Sequence, residues 1–303
     1  MKKRYMSYRK KQQIAPYFFV TPYFLVFIMF SLFPIIYTFY ISLTNWTGIT
    51  KPDFVGIANY LMLFKDKRFW HALVNNLQFV VMILPIQLSI SFLIALLLNH
   101  KLMVWKKGFR ILSFLPYLTT PVALGVIFGI LFDSHMGQIN VLLEQLGGSA
   151  IAWTTKPWPA KIMIVLITIW RYAGYTSILF MAGMTNIDPQ LYEASEIDGA
   201  SFWQQVRNIT IPLLRPITVF VIVTNLIGNF QMFEEPYMIF TATANMVGGP
   251  DDSVLTGVWY FYDTAFSNQL RFGYGAAIGV GMFFVIAVLS LTANKVMQKG
   301  EKK

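Results

Sequence analysis

The sequence contains no cysteine, which excludes disulfides, thiolate metal sites and cysteine nucleophiles. Charge is nearly as scarce: Asp, Glu, Lys and Arg make up 13% of the residues, against about a quarter in an ordinary soluble domain. So few charges cannot cover a globular surface. No Gly-x-x-x-x-Gly-Lys-[Ser/Thr] run is present, so the chain has no phosphate-cradling loop of its own. His71, His100 and His135 stand apart, without a His-Glu-x-x-His pattern, and read as solvated or interfacial side chains. Glu234 and Glu235 are adjacent, and adjacent side chains on a helix diverge by about 100°, so they form no shared-proton dyad by themselves. Internal repeats and low-complexity stretches are also missing. No catalytic residue and no metal ligand set is expected. If the protein moves something, the energy comes from elsewhere.

What the chain has is apolar length. Hydrophobic residues make up 56% of it, and the mean hydropathy is +0.54. Six stretches, at 16–43, 74–99, 111–132, 161–184, 217–240 and 274–297, meet the length of about 17 to 25 residues needed to cross a bilayer as a helix. Pro34, Pro85, Pro116 and Pro121 fall inside them; they would break a soluble helix but are tolerated in a packed membrane bundle. The first stretch is longer than the apolar core of a signal peptide and has no small-residue cleavage site, so it is expected to stay as the first span. The connections hold no room for a globular domain. The expected fold is all-α, a polytopic helix bundle of six transmembrane helices in a single domain over 1–303, sitting in a lipid bilayer.

The formal charge of +10 invites a nucleic-acid reading, but its placement points to topology. Basic residues gather in the N-terminus 1–15 (Lys2, Lys3, Arg4, Arg9, Lys10, Lys11), between spans two and three (Lys101, Lys106, Lys107, Arg110), and toward the C-terminus (Lys295, Lys299, Lys302, Lys303), including the tail 298–303. With six alternating spans these segments share one side, and the positive-inside rule makes both termini cytoplasmic. Lys51, Lys65, Lys67 and Arg68 between spans one and two weaken the bias without reversing it. No nucleic-acid partner is expected.

One polar run, Tyr192 to Pro216, interrupts the apolar pattern between spans four and five. Asp188 can cap a first helix with Pro189 in its first turn, and Gly199 can end it. Ser201 with Gln204 three residues on has the form of a capping box for a second helix. That helix would carry Phe202, Val206 and Ile209 on one stripe with Trp203 beside it, and Pro212 and Pro216 would punctuate its exit. A helix–Gly–helix can also be a DNA reader. Its tethers to two spans and the acidic residues Asp188, Glu193, Glu196 and Asp198 oppose a phosphate-facing surface, and the run reads as a docking element.

Span five is the candidate path for a solute. Thr224, Gly228, Gln231 and Glu235 share one face at helical spacing, and Asn225 and Asn229 the adjoining one. Such groups are costly against lipid tails and should face the bundle interior or water. Amides both donate and accept, which suits a neutral polyol. Packing within the bundle is the competing role for the same face, and Tyr172 and Tyr175 in span four then become the alternative lining. Arg171 would cost about 2.5–3.5 kcal/mol at the bilayer centre and needs a partner or water. Glu234 or Glu235 is available, either as a purely structural ion pair or as part of the path. The aromatic content of 17% is assigned chiefly to lipid-facing and interfacial positions. Gly275 and Gly279 in span six can pack against a helix of this bundle or of a partner.

Glu193-Ala194-Ser195, then Gly199, then Ile209-Thr210-Ile211-Pro212 resembles the EAA signature of permease subunits of ATP-binding-cassette importers. Asp198-Gly199-Ala200 is similar to the DGA of the carbohydrate-type members. Gly248-Gly249-Pro250, Thr256, Tyr262, Phe266 and Gly273-Tyr274 resemble the stretch before the last span of the maltose-type permease. Near the N-terminus Pro34, Ser42, Gly56, Asn59-Tyr60, Phe69-Trp70 and Asn75 follow the same pattern. Ser195 stands where a second Ala is usual, and Ile211 where Leu precedes the Pro.

The resemblance, which covers nearly the whole chain, implies a six-span form with a cytoplasmic coupling loop at 185–216. It places Tyr192, Glu193, Ala194, Asp198, Gly199, Ala200, Phe202, Arg207 and Pro212 at an ATPase-docking surface, and leaves Asn225, Asn229, Gln231, Glu235, Tyr172 and Tyr175 as the path residues. It further implies uptake of a sugar or oligosaccharide across a prokaryotic plasma membrane by alternating access. The implied partners are a second homologous permease, two cytoplasmic ATPases and an extracytoplasmic solute-binding protein. The chain would not itself be an enzyme and would bind no cofactor, ATP and Mg being used by the partner ATPases. A glycerol-phosphate importer of the same family would want extra basic groups in the path. An ion-coupled secondary transporter would be expected to show repeat symmetry, and a membrane-embedded enzyme a catalytic cluster near one interface.

Overall fold

The computed structural model describes residues 16–49, 51–99, 103, 105–134, 136–244, 246–267 and 270–299. The basic N-terminus 1–15, His100, Lys101, His135 and residues 300–303 of the basic tail lie outside the described residues. The chain divides into two compact units, Met1–Lys65 with Thr264–Gly281, and Asp66–Asp263 with Met282–Lys303.

In the first unit α1 (Pro16–Ser42) is a long apolar helix, exposed along nearly all its length, as only a lipid-facing or partner-facing helix can be. Its turn at Ile28–Leu32 widens to π geometry. Pro34 follows at once, and the wider turn accommodates a ring that would otherwise collide with the carbonyl of Phe30. Two short antiparallel strands come next, β1 (Thr44–Asn45) and β2 (Asp53–Phe54), with Thr44 opposite Phe54, and then α2 (Ala58–Lys65). Asn59 ties the helix end to the strands by donating to the carbonyls of Ser42 and Thr44, each at 2.8 Å. Gly273, whose N–H donates to the Trp46 carbonyl at 3.0 Å, sits so close to the Thr44 carbonyl that no side chain would fit there.

The second unit carries α3 (Lys67–Asn99), α4 (Lys106–Phe114), α5 (Pro121–Leu131), α6 (Gln138–Gln145) and α7 (Pro157–Met184). They are followed by α8 (Pro189–Ile197), α9 (Phe202–Gln205), α10 (Arg215–Phe230), α11 (Glu234–Ala244) and α12 (Gly257–Tyr262). The last helix, α13 (Phe272–Lys299), begins among residues of the first unit and ends among those of the second. α3 starts at Lys67, ahead of the apolar stretch at 74, because Asp66 accepts from the N–H groups of Arg68 and Phe69 and so caps a polar first turn.

Helices α3 and α7 form the centre of this unit. Ser91 donates to the Ala173 carbonyl at 2.9 Å, and Gln87 to Thr176 at 3.0 Å. At one end a cluster of Leu96, Leu98, Phe180, Met184, Val206 and Leu214 gathers the ends of both helices and the segment that leads into α10. Gly174 lies against the backbone carbonyl of Ser113, so α4 reaches α7 only because that position has no side chain. Gly125 likewise meets the backbone of Met238, bringing α5 onto α11.

The all-α bundle is as the sequence predicts, with two of its apolar stretches interrupted. The stretch 111–132 is not a continuous span. Helix Lys106–Leu118 and helix Pro121–Leu131 meet at a bend of 94°. Thr119 and Thr120 are extended (ψ 131° and 146°), and for Thr120 this is the conformation imposed on a residue that precedes proline. Among the described residues, five helices, with Arg215–Thr241 counted as one, are long and apolar enough to cross a membrane, and up to six spans result when the bent pair counts as one. The fifth stretch is interrupted too, since α10 ends at Phe230 and α11 begins at Glu234.

Candidate functional site: a polar cavity at two helix breaks, and a helix–Gly–helix loop

Both breaks open onto one cavity. It has a volume of about 530 Å³. The turn between α4 and α5 contributes Tyr117, and α7 contributes Thr168, Tyr172 and Tyr175. From α10 and the break after it come Thr224, Asn225, Gly228, Asn229, Gln231 and Phe233, while Glu234 and Glu235 open α11. Interrupted helices inside a membrane leave backbone groups to be satisfied, and they persist where protein or a water-filled cavity receives them. Here Asn76 of α3 donates to the carbonyls of Asn229 and Phe230, each at 3.2 Å, and accepts from the N–H of Gly257 at 2.8 Å. On the other side Thr120 accepts from the N–H of Ala123 and caps α5.

One side of the cavity is aromatic. Tyr117 stacks on Tyr175 with ring centroids 4.6 Å apart and planes 15° from parallel, and it meets Tyr172 edge-on at 5.8 Å. Beside these rings lies an ionic cluster. Arg171 approaches Glu235 at 2.6 Å and Glu234 at 3.3 Å. The partner that the sequence requires for this arginine is thus both carboxylates at once. The guanidinium also lies over the Tyr172 ring at 5.3 Å.

The amides divide into two kinds. Asn225 donates to the Val221 carbonyl and accepts from Gln87, each at 2.8 Å. Asn229 is buried and donates to the Asn225 carbonyl at 2.8 Å. Both side chains line the cavity while their N–H groups bond within the protein. Gln231 is exposed to the cavity. So the face expected from helical spacing exists, although Gln231 and Glu235 reach it across a break and not along one helix. Gln87, Thr168 and Tyr117 belong to the same lining and were missed by the sequence reading. Gln87 stands in the apolar middle of α3, two residues after Pro85, and an amide there is a signal that could have found it, by the same cost that singled out Arg171.

Away from the loop end of α3, a second polar cluster holds the segment before α12. Arg68 pairs with Asp252 at 2.9 Å and with Asp263 at 3.3 Å, and Tyr260 donates to Asp66. Asn75 donates to the carbonyls of Asp252 and Leu255 at 2.8 and 2.9 Å, and Lys161 donates to Asn75 at 2.9 Å and to Gln78. These contacts fasten the Gly248-Gly249-Pro250 segment, where Asp251 and Asp252 adopt positive φ.

At the other end lies the polar run of the sequence. Asp188 accepts from the N–H of Gln190 at 3.0 Å with Pro189 in the first turn of α8. Gly199 ends that helix in the left-handed region at φ +77°, and the N–H of Ala200 returns to the Ser195 carbonyl at 2.9 Å. The capping box forms, with the Ser201 N–H donating to Gln204 at 2.6 Å. α9 then passes through a π turn at Val206–Thr210 and continues as Ile211–Leu213, so Pro212 does not end the helix but sits just past the widened turn. The apolar stripe is only partly buried. Val206 is in the core and Ile209 packs against it, whereas Phe202 is 42% exposed and Trp203 65%.

Two hydrogen-bonded pairs clamp α8 to the second helix. Tyr192 shares a hydrogen with Thr210 at 2.9 Å, and Gln205 donates to Ser195 at 3.0 Å. Glu193, Ala194, Asp198, Gly199, Phe202, Arg207 and Pro212 are exposed, while Tyr192 and Ala200 are half-buried. Tyr192 therefore supports the loop from beneath. The cationic side chains of α4 belong to this end, since Arg110 reaches Met181 near the end of α7, and Arg215 donates to the Met297 carbonyl of α13 at 3.0 Å.

Comparison with known proteins gives the family and the fold. Residues 54–300 match the family described as "Binding-protein-dependent transport system inner membrane component". The lactose transport system permease protein LacF of Rhizobium radiobacter is 35% identical over 239 residues, covering 78% of each chain. The arabinooligosaccharides transport system permease protein AraP of Bacillus subtilis is 35% identical over 244 residues, covering 80% of this chain and 76% of the relative. Among solved structures, a bacterial ABC transporter involved in the import of the acidic polysaccharide alginate superposes with a TM-score of 0.75 at 20% identity, over 97% of this chain and 99% of that one. That likeness is one of fold.

Proposed function

Because the chain belongs to the family of binding-protein-dependent transport system inner membrane components, we propose that it is the multi-span permease subunit of an ATP-binding-cassette importer that takes up a sugar or oligosaccharide. The carrying observation is the cavity. It combines a stacked tyrosine face with cavity-facing amide and hydroxyl groups, and it lies where one span bends by 94° and another is interrupted between Phe230 and Glu234. A sugar offers hydroxyls that donate and accept together with C–H faces that pack on aromatic rings, so such a lining fits it. The names of LacF and AraP, and of AmyD, the probable starch degradation products permease of Thermoanaerobacterium thermosulfurigenes, support the same class of cargo.

The finer assignments follow from that reading. The exposed surface of α8 and α9 is the docking site for one of two ATPases, which bind ATP and Mg and drive the cycle, so the chain itself is not an enzyme. A second, homologous permease completes the pore, and an extracytoplasmic solute-binding protein delivers the cargo. A solved neighbour is in complex with an alginate pentasaccharide-bound periplasmic protein, which supports that arrangement. The loop end carries Lys106, Lys107, Arg110, Arg207 and Arg215, which favours the cytoplasm for this end, and with it for both termini. The mechanism is alternating access, with closure of the ATPases moving the loop and, through the clamped pair of helices, the ends of α7 and α10 beside the cavity.

Reconstitution tests the reading. The permease pair, the ATPases and the binding protein in proteoliposomes should accumulate labelled oligosaccharide only when binding protein is outside and ATP inside. Accumulation without ATP, driven by an ion gradient, would replace the reading with a secondary transporter.

A further inference from the structure

The charges around the cavity do not balance. Among the described residues that line it, the charged ones are Glu234 and Glu235, and the one cation beside them is Arg171. Arg171 and Glu235 are both closed off, with side chains 8% and 4% exposed and 2.6 Å between them. That pair neutralises itself. Glu234 is 3.3 Å from the same guanidinium, but its side chain is 51% exposed and opens α11 at the cavity wall. One carboxylate is therefore in surplus, in a confined site with low-dielectric walls that focus its field.

We propose that Glu234 is the specificity-determining charge of this path, admitting uncharged glycans and rejecting those that carry a carboxylate, sulfate or phosphate. The inference rests on the carbohydrate reading above and narrows it to one charge class. The rest of the lining recognises a sugar without using charge. Tyr117 and Tyr175 offer a flat apolar face, and Gln231 offers an amide. None of these distinguishes a neutral sugar from its acid, and Glu234 does. At an effective dielectric of about 20, a second anion roughly 6 Å away loses on the order of a hundredfold in affinity, and partial solvation of Glu234 brings this toward tenfold.

The test measures binding to the assembled transporter in nanodiscs with the solute-binding protein left out, so that the delivery protein's own selectivity does not enter. The probes are neutral di- and trisaccharides, each paired with its aldonate, in which the terminal aldehyde has become a carboxylate. Saturation-transfer NMR with competition gives the ratio of affinities within each pair. The wild-type transporter should prefer the neutral member by about tenfold or more. Glu234→Gln should bring the ratio below about threefold, Glu234→Asp should keep it, and added salt should raise the affinity of the aldonate alone.

A merely structural Glu234 would change both affinities together and leave the ratio. Equal binding of both members by the wild type, or an unchanged ratio in Glu234→Gln, overturns the proposal. Should Glu234→Gln fail to assemble, the wild-type ratio and its salt dependence decide. If the wild type binds no neutral sugar and takes none up, the carbohydrate reading itself falls and this inference with it.

Discussion

Arg171 and Glu235 meet at 2.6 Å with both side chains buried, one from the middle of α7 and the other from the first turn of α11. The pair joins a continuous helix to one that begins only after a break, and the carboxylate stands near the positive end of its helix, which favours the charge further. A buried charge left alone is far costlier than the pair is stabilising. Glu235→Gln leaves Arg171 only the half-exposed Glu234 at 3.3 Å and is expected to cost up to about 3–5 kcal/mol, seen as a lower melting temperature and less assembled complex. Replacing both residues by Met should recover part of the loss. A double variant no better than the single one would show that the ion pair is needed for more than neutralising Arg171.

Gly174 marks the closest approach of α4 to α7. An added Cβ would overlap the Ser113 carbonyl, a backbone atom that cannot swing aside. Gly174→Ala should destabilise by about 1–3 kcal/mol. Gly228 faces open cavity with no atom within 4 Å of such a Cβ, and Gly228→Ala should leave the melting temperature equal or higher, since Ala is the better helix former by about 1 kcal/mol. Thermal unfolding of the two purified variants checks the contrast.

Gly199 is held by its backbone conformation and not by lack of room. Its φ is +77°, and no atom lies within 4 Å of the place a Cβ would occupy. A β-branched residue there should cost about 1–2 kcal/mol and turn α9 away from its seat, lowering ATPase co-purification and uptake together. Asn, which enters the left-handed region more readily, should retain most of both. Equal behaviour of Gly199→Val and wild type would remove the loop from the coupling pathway.

The amides of α10 should separate by role. Asn225 and Asn229 already donate within the protein, so Asn229→Ala is expected to reduce the amount of assembled transporter more than transport per complex. Gln231 faces the cavity, and Gln231→Ala should lower transport per complex several-fold, as expected for one neutral hydrogen bond of about 1 kcal/mol. Uptake normalised to assembled transporter distinguishes them, and the reverse ordering would move the path away from Gln231.

Orientation has its own measurement. Because the chain has no cysteine, single thiols report cleanly. Gln145→Cys should react with an impermeant reagent from outside the cell and Trp203→Cys only from the cytoplasm. Labelling in the opposite sense would invert the topology.

The caps of the loop were legible, because capping is decided by residues within three or four positions of one another, whereas the π turn that carries the helix on past Pro212 was not. Asp188, Gly199, Ser201 and Gln204 each occupy the role that their spacing predicts. The fate of the apolar stripe was not legible, since periodicity shows that Phe202 and Val206 share a face but not how far that face extends into the core. The cavity divides in the same way. That Arg171 needed a carboxylate followed from the cost of an unpaired charge in lipid, and that Asn225, Asn229 and Gln231 turn inward followed from the cost of exposing amides there.

By itself the sequence determined the solvent, the helical class and the chemistry of the loop, since the hydropathy of each stretch, the shortage of charge and the short-range capping rules are local properties. Only the tertiary structure decided that the third span bends by 94° at Thr119–Thr120 while the fifth breaks after Phe230. It alone decided that Asn76 satisfies the carbonyls freed there, and that Glu235 is sealed on Arg171 while Glu234 remains half-exposed. The two carboxylates are neighbours in the chain and chemically identical. What separates them is direction, and direction is set by which helices lie beside the first turn of α11, a long-range fact that no window of sequence contains.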